Sequence, residues 1–295
     1  DLGVLAESEL WPNLILAAQA RGARLALISA RLSPASLKGW RRAPSAARAI
    51  LGAFDLILAR DEAAAEGLCA LGAHVDGLAD MKFGAAPLPA GDTELTRLRD
   101  AAAGRPVILA ASTHCGEEAA ILARFATVTC DGNTRPLLIF APRHDRRGAE
   151  VEGLARAAGF TTARRSLGAG PAGVDVYVAD TVGELGLWYR LAALAVLGGS
   201  LAPGIGGHNP LEPARLGCPF VGGPHTGDWP VFADMESRGA TRRVETPGDL
   251  DACFRAAIEA PDAFASMAIE ARRYVETRDA HAHAMAARVM DLLVP

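Results

Sequence analysis

The sequence predicts an α/β protein built on parallel sheets and divided into two domains. Three features point there: short apolar runs without polar alternation, helical patterns between them, and one breaker-rich segment, Pro87-Leu88-Pro89-Ala90-Gly91. A strand covered on both faces has no solvent side to mark with polar residues. Unalternated strands separated by helices therefore imply parallel sheets with helices front and back. Two domains is also the usual expectation for 295 residues.

In chain order, strands are expected at Leu2–Ala6, Leu25–Ala30 and Asp55–Ala59, with helices over Leu10–Arg21 and Glu62–Leu71. The Pro87–Gly91 linker then separates a first domain, residues 1–86, from a second, residues 92–295. The second domain continues the alternation with strands at Val107–Ala111, Leu137–Ala141, Val174–Val178, Ala193–Leu197 and Pro219–Gly222. Helical patterns cover Glu117–Thr127, Val151–Ala158 and Val231–Arg238. Asp262 to Leu293 reads as a long helical tail with a break near Glu276–Asp279, of a kind that crosses back between lobes in two-lobed folds. Leu2–Ala6 reads as a buried strand with nothing before it, so the first domain is expected to be only part of a doubly wound sheet.

Composition narrows the function classes. With 50% hydrophobic and 22% charged residues the chain can bury real cores. A net charge of -4 argues against a general nucleic-acid binder, whose footprint is basic. No apolar run reaches the roughly 18 residues of a membrane span, and the opening Asp1-Leu2-Gly3 carries no basic leader. Cysteines at 69, 115, 130, 218 and 253 are scattered and form no C-x-x-C pair, which fits a reducing compartment better than a disulfide framework or zinc site. Lysine occurs only at Lys38 and Lys82; in so arginine-biased a chain, Lys82 is a candidate for a place that needs a compact ammonium.

The most informative segment is Gly198 to Trp229. A buried strand ends in Gly198-Gly199-Ser200, a glycine-rich loop follows, and a short helix is expected to open at His208-Asn209-Pro210. Glycines let backbone approach a ligand, and a helix start offers unpaired N–H groups to an anion. Glu212, three residues after Asn209, shares its face; beside a phosphate it suits a ribose diol. Arg143 follows strand Leu137–Ala141, on the edge where open parallel sheets bind ligands, and its planar fork suits phosphate. Asp180-Thr181-Val182-Gly183-Glu184-Leu185 repeats the strand-end pattern. There Asp180 or Thr181 would cap a helix, and Thr181 with Glu184 would form a capping box. Capping accounts for those residues singly. Three polar strand ends on one edge favour a nucleotide site.

Other clusters stay open. Ser112-Thr113-His114 with Gly116-Glu117-Glu118 is a fourth wall of that site or an ordinary helix cap. Glu7-Ser8-Glu9, before Leu10-Trp11-Pro12, places two acids at a strand-to-helix turn, to orient an acceptor or cap a helix. Lys38-Gly39-Trp40-Arg41-Arg42 interleaves basic and aromatic residues, as an anionic amphiphile or a membrane surface requires, or is a solvated helix face. His281 and His283 alternate on a helix and point to different sides, so a metal pair is discounted.

Taken together the motifs resemble the Kdo transferases of lipopolysaccharide assembly, which move 3-deoxy-D-manno-octulosonic acid (Kdo) from CMP-Kdo to lipid A precursor. The matching segments are ESELWPN at Glu7–Asn13, SARLS at Ser29–Ser33, DMKF at Asp80–Phe83, ASTHCGEE at Ala111–Glu118, APRH at Ala141–His144, DTVGELGLWY at Asp180–Tyr189 and GGHNPLEPARLGCP at Gly206–Pro219. The resemblance implies a GT-B fold of two Rossmann-like lobes, the N-terminal one incomplete in this chain, with the donor held by the C-terminal lobe. It implies an inverting enzyme without metal or other cofactor. Pro142 and Arg143 would meet the CMP phosphate, Val182, Gly183, Glu184 and Leu185 the cytidine, Asn209 and Glu212 phosphate and ribose, and Lys82 would also serve the donor. It further implies a peripheral place on the cytoplasmic face of the inner membrane, with CMP-Kdo, the lipid A precursor and that membrane as partners.

Two departures stand out. Cys115 replaces an acid expected in the ASTHCGEE motif, and the family's membrane anchor and early Gly-Glu motif, which holds the base, have no counterpart and are expected upstream of Asp1. Glu9 is then the catalytic candidate left in this chain, which is expected to bind donor but transfer little. The competing readings are a non-catalytic CMP-sugar-binding remnant and another GT-B enzyme that uses a UDP-sugar, such as an epimerase.

Overall fold

The computed structural model describes residues 1–128 and 135–293, without the side chains of residues 261, 280 and 281. It divides into two compact units, Asp1–Ala86 with Thr277–Pro295, and Pro87–Glu276.

The first unit runs β1 (Leu2–Ala6), α1 (Pro12–Ala20), β2 (Arg24–Ala30), α2 (Pro34–Trp40), α3 (Pro44–Leu51), β3 (Leu56–Ala59), α4 (Glu62–Cys69) and β4 (Gly77–Leu78). Its sheet has the order β1-β2-β3-β4, every pair parallel. The central strands are the buried ones. Leu27, Ile57 and Ala59 pack with Ala47, Leu51 and Leu68 from the helices on one side. β1 lies at the edge of the described sheet with Val4 47% exposed, so the strand expected to be buried is half open. Local chemistry sets the helix starts. Ser33 accepts the Ser36 N–H at α2, Asp61 accepts the Ala64 N–H at α4, and α1, α2 and α3 each carry proline in the first turn. α1 begins at Pro12, not Leu10; neither Glu7 nor Ser8 caps it, because the N-cap is Trp11, which has no side-chain acceptor.

The second unit runs α5 (Asp92–Ala102), β5 (Val107–Thr113), α6 (Glu117–Phe125), β6 (Leu137–Pro142), α7 (Gly148–Ala157), β7 (Thr162–Arg164), β8 (Val176–Val178), α8 (Leu185–Leu191), β9 (Leu194–Leu197), α9 (Leu211–Arg215), β10 (Phe220–Gly222), α10 (Val231–Ser237), β11 (Arg242–Arg243) and α11 (Pro247–Glu259). The order β11-β10-β9-β5-β6-β8-β7 is parallel throughout. Ile108, Leu138, Val176 and Leu194 meet Phe125 and Phe254 on one face. Their neighbours Leu109, Ile139, Tyr177 and Ala195 form a register line across the sheet and are equally buried. Successive strand residues face opposite sides, so burial of both sets is what removed the polar alternation.

The last helix, α12 (Ala265–Asp291), is continuous. The break expected at Glu276–Asp279 does not occur, because that stretch holds neither glycine nor proline and its side chains tolerate a helix. From Thr277 on, its residues belong to the first unit, where Met285 and Val289 pack on Ala26, Leu56 and Leu58. No helix among the described residues is long and apolar enough to cross a membrane.

Candidate functional site

The carboxyl ends of β10, β9, β5, β6 and β8 lie side by side along one edge of the second sheet. β5 ends in an irregularity between Ala111 and Thr113, with Ser112 in the left-handed region at φ 56°. That turn presses its backbone against Gly198: a Cβ there would lie 2.7 Å from the Ser112 carbonyl carbon and from Thr113 Cα, so only glycine fits. Ser200 closes the other side, its Oγ accepting the Gly223 N–H at 2.8 Å.

Glu117 ties these loops together. It is 2% exposed. Its carboxylate accepts the backbone N–H groups of His114 (2.9 Å), Gly199 (2.8 Å) and Leu201 (2.9 Å), joining the end of β5 to the glycine loop after β9. The alternative of an ordinary side-chain cap fails, because the N-cap of α6 is Gly116. Beside it Glu118 is fully buried and pairs with Arg147 at 2.5 Å; Arg147 also holds Glu150 at 2.7 Å. Both acids are thus structural anchors of the edge.

On this frame stand the predicted phosphate residues. Pro142 is the last residue of β6, and the Arg143 N–H donates to Thr113 O at 3.0 Å while its side chain is exposed. His114 and His208 approach to 2.8 Å between their Nε2 atoms. Burial drives the His208 imidazole down to about 4, helped by the charges of His114 and Arg143. His114 is also lowered, first by burial, with Glu117 opposing and His144 and Arg143 assisting.

Asn209 donates from Nδ2 to Glu212 Oε1 at 3.2 Å and accepts the Leu211 N–H at 3.0 Å. Burial raises the Glu212 carboxyl, opposed by the Asn209 bond and by Arg143. Arg143 therefore acts electrostatically on His114, His208 and Glu212 together. The expected helix start at His208-Asn209-Pro210 is displaced: α9 begins at Leu211 with Pro210 as its N-cap and is only five residues long, and Asn209 Oδ1 accepts the Leu211 N–H from just before it. So short a helix has a weak dipole and offers an anion less than the sequence expectation assumed.

The Thr181–Glu184 turn is built differently from the expected capping box. Asp180 accepts from the backbone N–H and Oγ of Ser166, at 2.9 and 2.7 Å. Thr181 Oγ1 donates to Glu184, whose carboxylate is clamped by Arg165 at 3.0 and 2.6 Å. Arg165 also pairs with Glu94 at 2.5 Å. Gly183 takes φ 85°, Val182 stands out at 83% exposure, and Leu185 starts α8.

The first-unit candidates form no such constellation. Glu7, at φ 55°, pairs with Arg31 at 2.8 Å. Its carboxyl is lowered chiefly by that hydrogen bond, with the charges of Arg31, Lys82 and Arg60 adding to it. Glu9 accepts the Trp11 indole N–H at 2.7 Å. Lys82 lies in the 3₁₀ turn Met81–Gly84, which Asp80 caps by accepting the Lys82 N–H. Trp40 is half-buried against the core beside Leu37, while Lys38, Arg41 and Arg42 are exposed. Among the described residues no cluster of three metal-ligating side chains occurs, and the His281 side chain lies outside them.

The family profile described as 3-deoxy-D-manno-octulosonic-acid transferase (kdotransferase) matches residues 1–85. A 3-deoxy-D-manno-octulosonic acid transferase of Bordetella pertussis is 38% identical over 250 residues, 82% of this chain and 58% of that protein. The C-terminal CMP-Kdo binding domain of WaaA from Acinetobacter baumannii is 31% identical with a TM-score of 0.57, covering 61% of this chain and 95% of that domain. The UDP-GlcNAc 2-epimerase of Neisseria meningitidis shares the fold, with a TM-score of 0.62 and 13% identity over 98% of this chain and 75% of its own. The chain spans about half the length of the curated relatives it matches. It is an α/β chain of the GT-B type with two parallel sheets, and it belongs to the family of 3-deoxy-D-manno-octulosonic acid transferases.

Proposed function

We propose that this chain serves transfer of Kdo from CMP-Kdo to a lipid A precursor, with inversion and without a metal ion, in lipopolysaccharide synthesis. The observation that carries the donor half is the match of 61% of this chain to 95% of a CMP-Kdo binding domain at 31% identity. The second unit brings Arg143, Asn209, Glu212 and the Thr181–Leu185 turn to one sheet edge, the usual ligand edge of an open parallel sheet.

Each residue has a physical part. Arg143, reaching solvent from a strand end beside Pro142, offsets the charge that grows on the CMP phosphate as the anomeric C–O bond breaks. Glu212, kept from full solvation, accepts from the ribose hydroxyls, and Asn209 sets its orientation. The Glu184 carboxylate is already saturated by Arg165 and Thr181, so the cytosine is read by the backbone of Val182, Gly183 and Leu185 around the left-handed glycine. Lys82, which the family resemblance assigns to the donor, lies in the first unit. Of the two acids at the β1–α1 turn, Glu9 is the better acceptor-side base, because Glu7 is held as a carboxylate by Arg31. The acceptor is a lipid, which fits work at the cytoplasmic face of the inner membrane by a peripherally bound protein.

The test is transfer of labelled Kdo from CMP-Kdo to a lipid A precursor, with Arg143→Ala alongside. Donor-dependent transfer that falls with the variant supports the reading. Turnover of a UDP-sugar in place of CMP-Kdo would overturn it.

A further inference from the structure

The His114–His208 pair has a geometry that simple packing does not require. The two rings are nearly parallel, at 7°, with centroids 5.1 Å apart and Nε2 atoms 2.8 Å apart. Parallel rings stacked face to face cannot bring two atoms that close. The rings therefore lie edge to edge in a common plane, joined by an in-plane N–H···N hydrogen bond. Such a bond needs one donor and one bare acceptor nitrogen. The resting pair then carries no charge and presents one N–H and one bare nitrogen at its two Nδ1 positions. A further proton would make that bond charge-assisted and turn both Nδ1 positions into donors. The pair thus has a two-donor state that suits an anion and a one-donor state that suits its absence.

The surroundings favour the uncharged state until an anion arrives. Arg143 acts on both rings, and His144 packs edge-on to His114 with centroids 6.1 Å apart. Glu117 and Glu118 act on His114 from α6, but Glu117 is committed to three backbone N–H groups and Glu118 to Arg147. Glu212, on α9, begins four residues after His208. From the loop after β10, Asp228 stands against Gly206, and His225 sets its carbonyl near Gly207. His208 itself rests on Gly199, where a Cβ would lie 3.2 Å from Nε2, so its ring is positioned by the loop that Glu117 anchors.

We propose that His114 and His208 act as one proton-linked element of the nucleotide site, taking a proton from solvent as the phosphate monoester of a nucleoside monophosphate binds. This rests on the donor-site reading of the same sheet edge. The balance is one phosphate dianion and one proton bound by an uncharged pair, giving an imidazole–imidazolium pair beside the dianion; no bond to carbon is made or broken. Because cleavage of the sugar–phosphate bond leaves a phosphate with one more negative charge, the same uptake offsets the charge of the departing nucleotide. His114 and His208 are positioning and charge-balancing residues in this scheme. Burial and the Arg143 charge lower both rings and so keep the free pair uncharged at neutral pH; the phosphate dianion is the opposing charge that makes protonation favourable.

The experiment is calorimetric titration with CMP at pH 7.0 and 7.5 in buffers of different ionisation enthalpy, which reads protons taken up per CMP. At these pH values CMP is mostly dianionic, since the second pKa of a phosphate monoester is about 6, so uptake reports the protein. The expected result is net uptake at pH 7.5 that grows towards one proton at pH 7.0. It disappears in His208→Gln and His114→Gln, each checked for folding by its melting curve, and persists in His144→Gln. CMP binding by the unaltered protein with no proton uptake overturns the proposal while leaving the donor site intact. Uptake that survives both pair variants, or that vanishes in His144→Gln, also overturns it. Absence of any CMP binding overturns the donor-site reading, and the linkage with it.

Discussion

Replacing Glu117 by glutamine keeps the shape of the side chain and removes its charge, which isolates what the buried carboxylate does. In the native protein two oxygens accept three backbone N–H groups, from His114, Gly199 and Leu201. A glutamine has one carbonyl oxygen, which can keep the pair from His114 and Gly199. Its amide nitrogen would then face the Leu201 N–H, donor against donor, in a site that is 2% exposed. One buried N–H left without an acceptor costs about 1–3 kcal/mol. The two retained bonds fall from charge-assisted to neutral, losing roughly 1 kcal/mol each, partly offset by the lower desolvation of an amide. The net expectation is a loss of about 2–4 kcal/mol, or roughly 5–15 °C in melting temperature for a domain of this size. Urea unfolding followed by circular dichroism measures the loss. Because the anchored loops also carry His114 and lead to His208, CMP binding should weaken in the same variant. A loss below about 1 kcal/mol with unchanged CMP affinity would falsify the anchoring role.

Other substitutions probe the remaining parts of the second unit. Arg143→Ala and Glu212→Ala should each weaken CMP binding by about 1.5–3 kcal/mol, the worth of a charge-assisted hydrogen bond, which is about 10- to 150-fold in Kd; unchanged affinity in both, with folding intact, means the site lies elsewhere. Gly198→Ala should destabilise by about 1–3 kcal/mol, because the new methyl meets the Ser112 backbone and not a flexible side chain; a melting curve that matches the parent's refutes the close approach. Glu94 is held at about 2 by Arg97 first and then Arg165, against an ordinary value of 4.5. Its folded value is depressed, so its stabilisation is complete above pH 4.5 and is lost as pH falls through about 2. Glu94→Gln should therefore remove roughly 1 kcal/mol at pH 6 and little at pH 2; a deficit that is the same at both values contradicts the ion-pair account.

What was legible in the sequence follows the range of the interactions. β5, β6 and β9 announce themselves because both faces are buried, so their apolar runs are unbroken. β4, β7 and β11 are two or three residues long and lie at sheet edges, where too few side chains are buried to leave a pattern. The Asn209–Glu212 contact is three residues apart and was readable from that spacing, although Asn209 lies outside the helix that the spacing assumed. The capping box at Thr181 fails for the opposite reason. Arg165, nineteen residues before Glu184, takes the carboxylate, and no local rule announces that partner. Glu117 bonds to Gly199 across 82 residues and His114 to His208 across 94, so both escaped a reading built on neighbours. The uninterrupted α12 shows the limit of charge and spacing as stop signals where glycine and proline are missing.

The central claim is that the carboxyl edge of the second sheet is a CMP-selective donor site. Calorimetric titration of the protein with CMP, UMP and UDP under one set of conditions tests it most directly. Tighter binding of CMP than of either uridine nucleotide, weakened in Arg143→Ala, is the predicted result. Equal or tighter binding of UDP would contradict it.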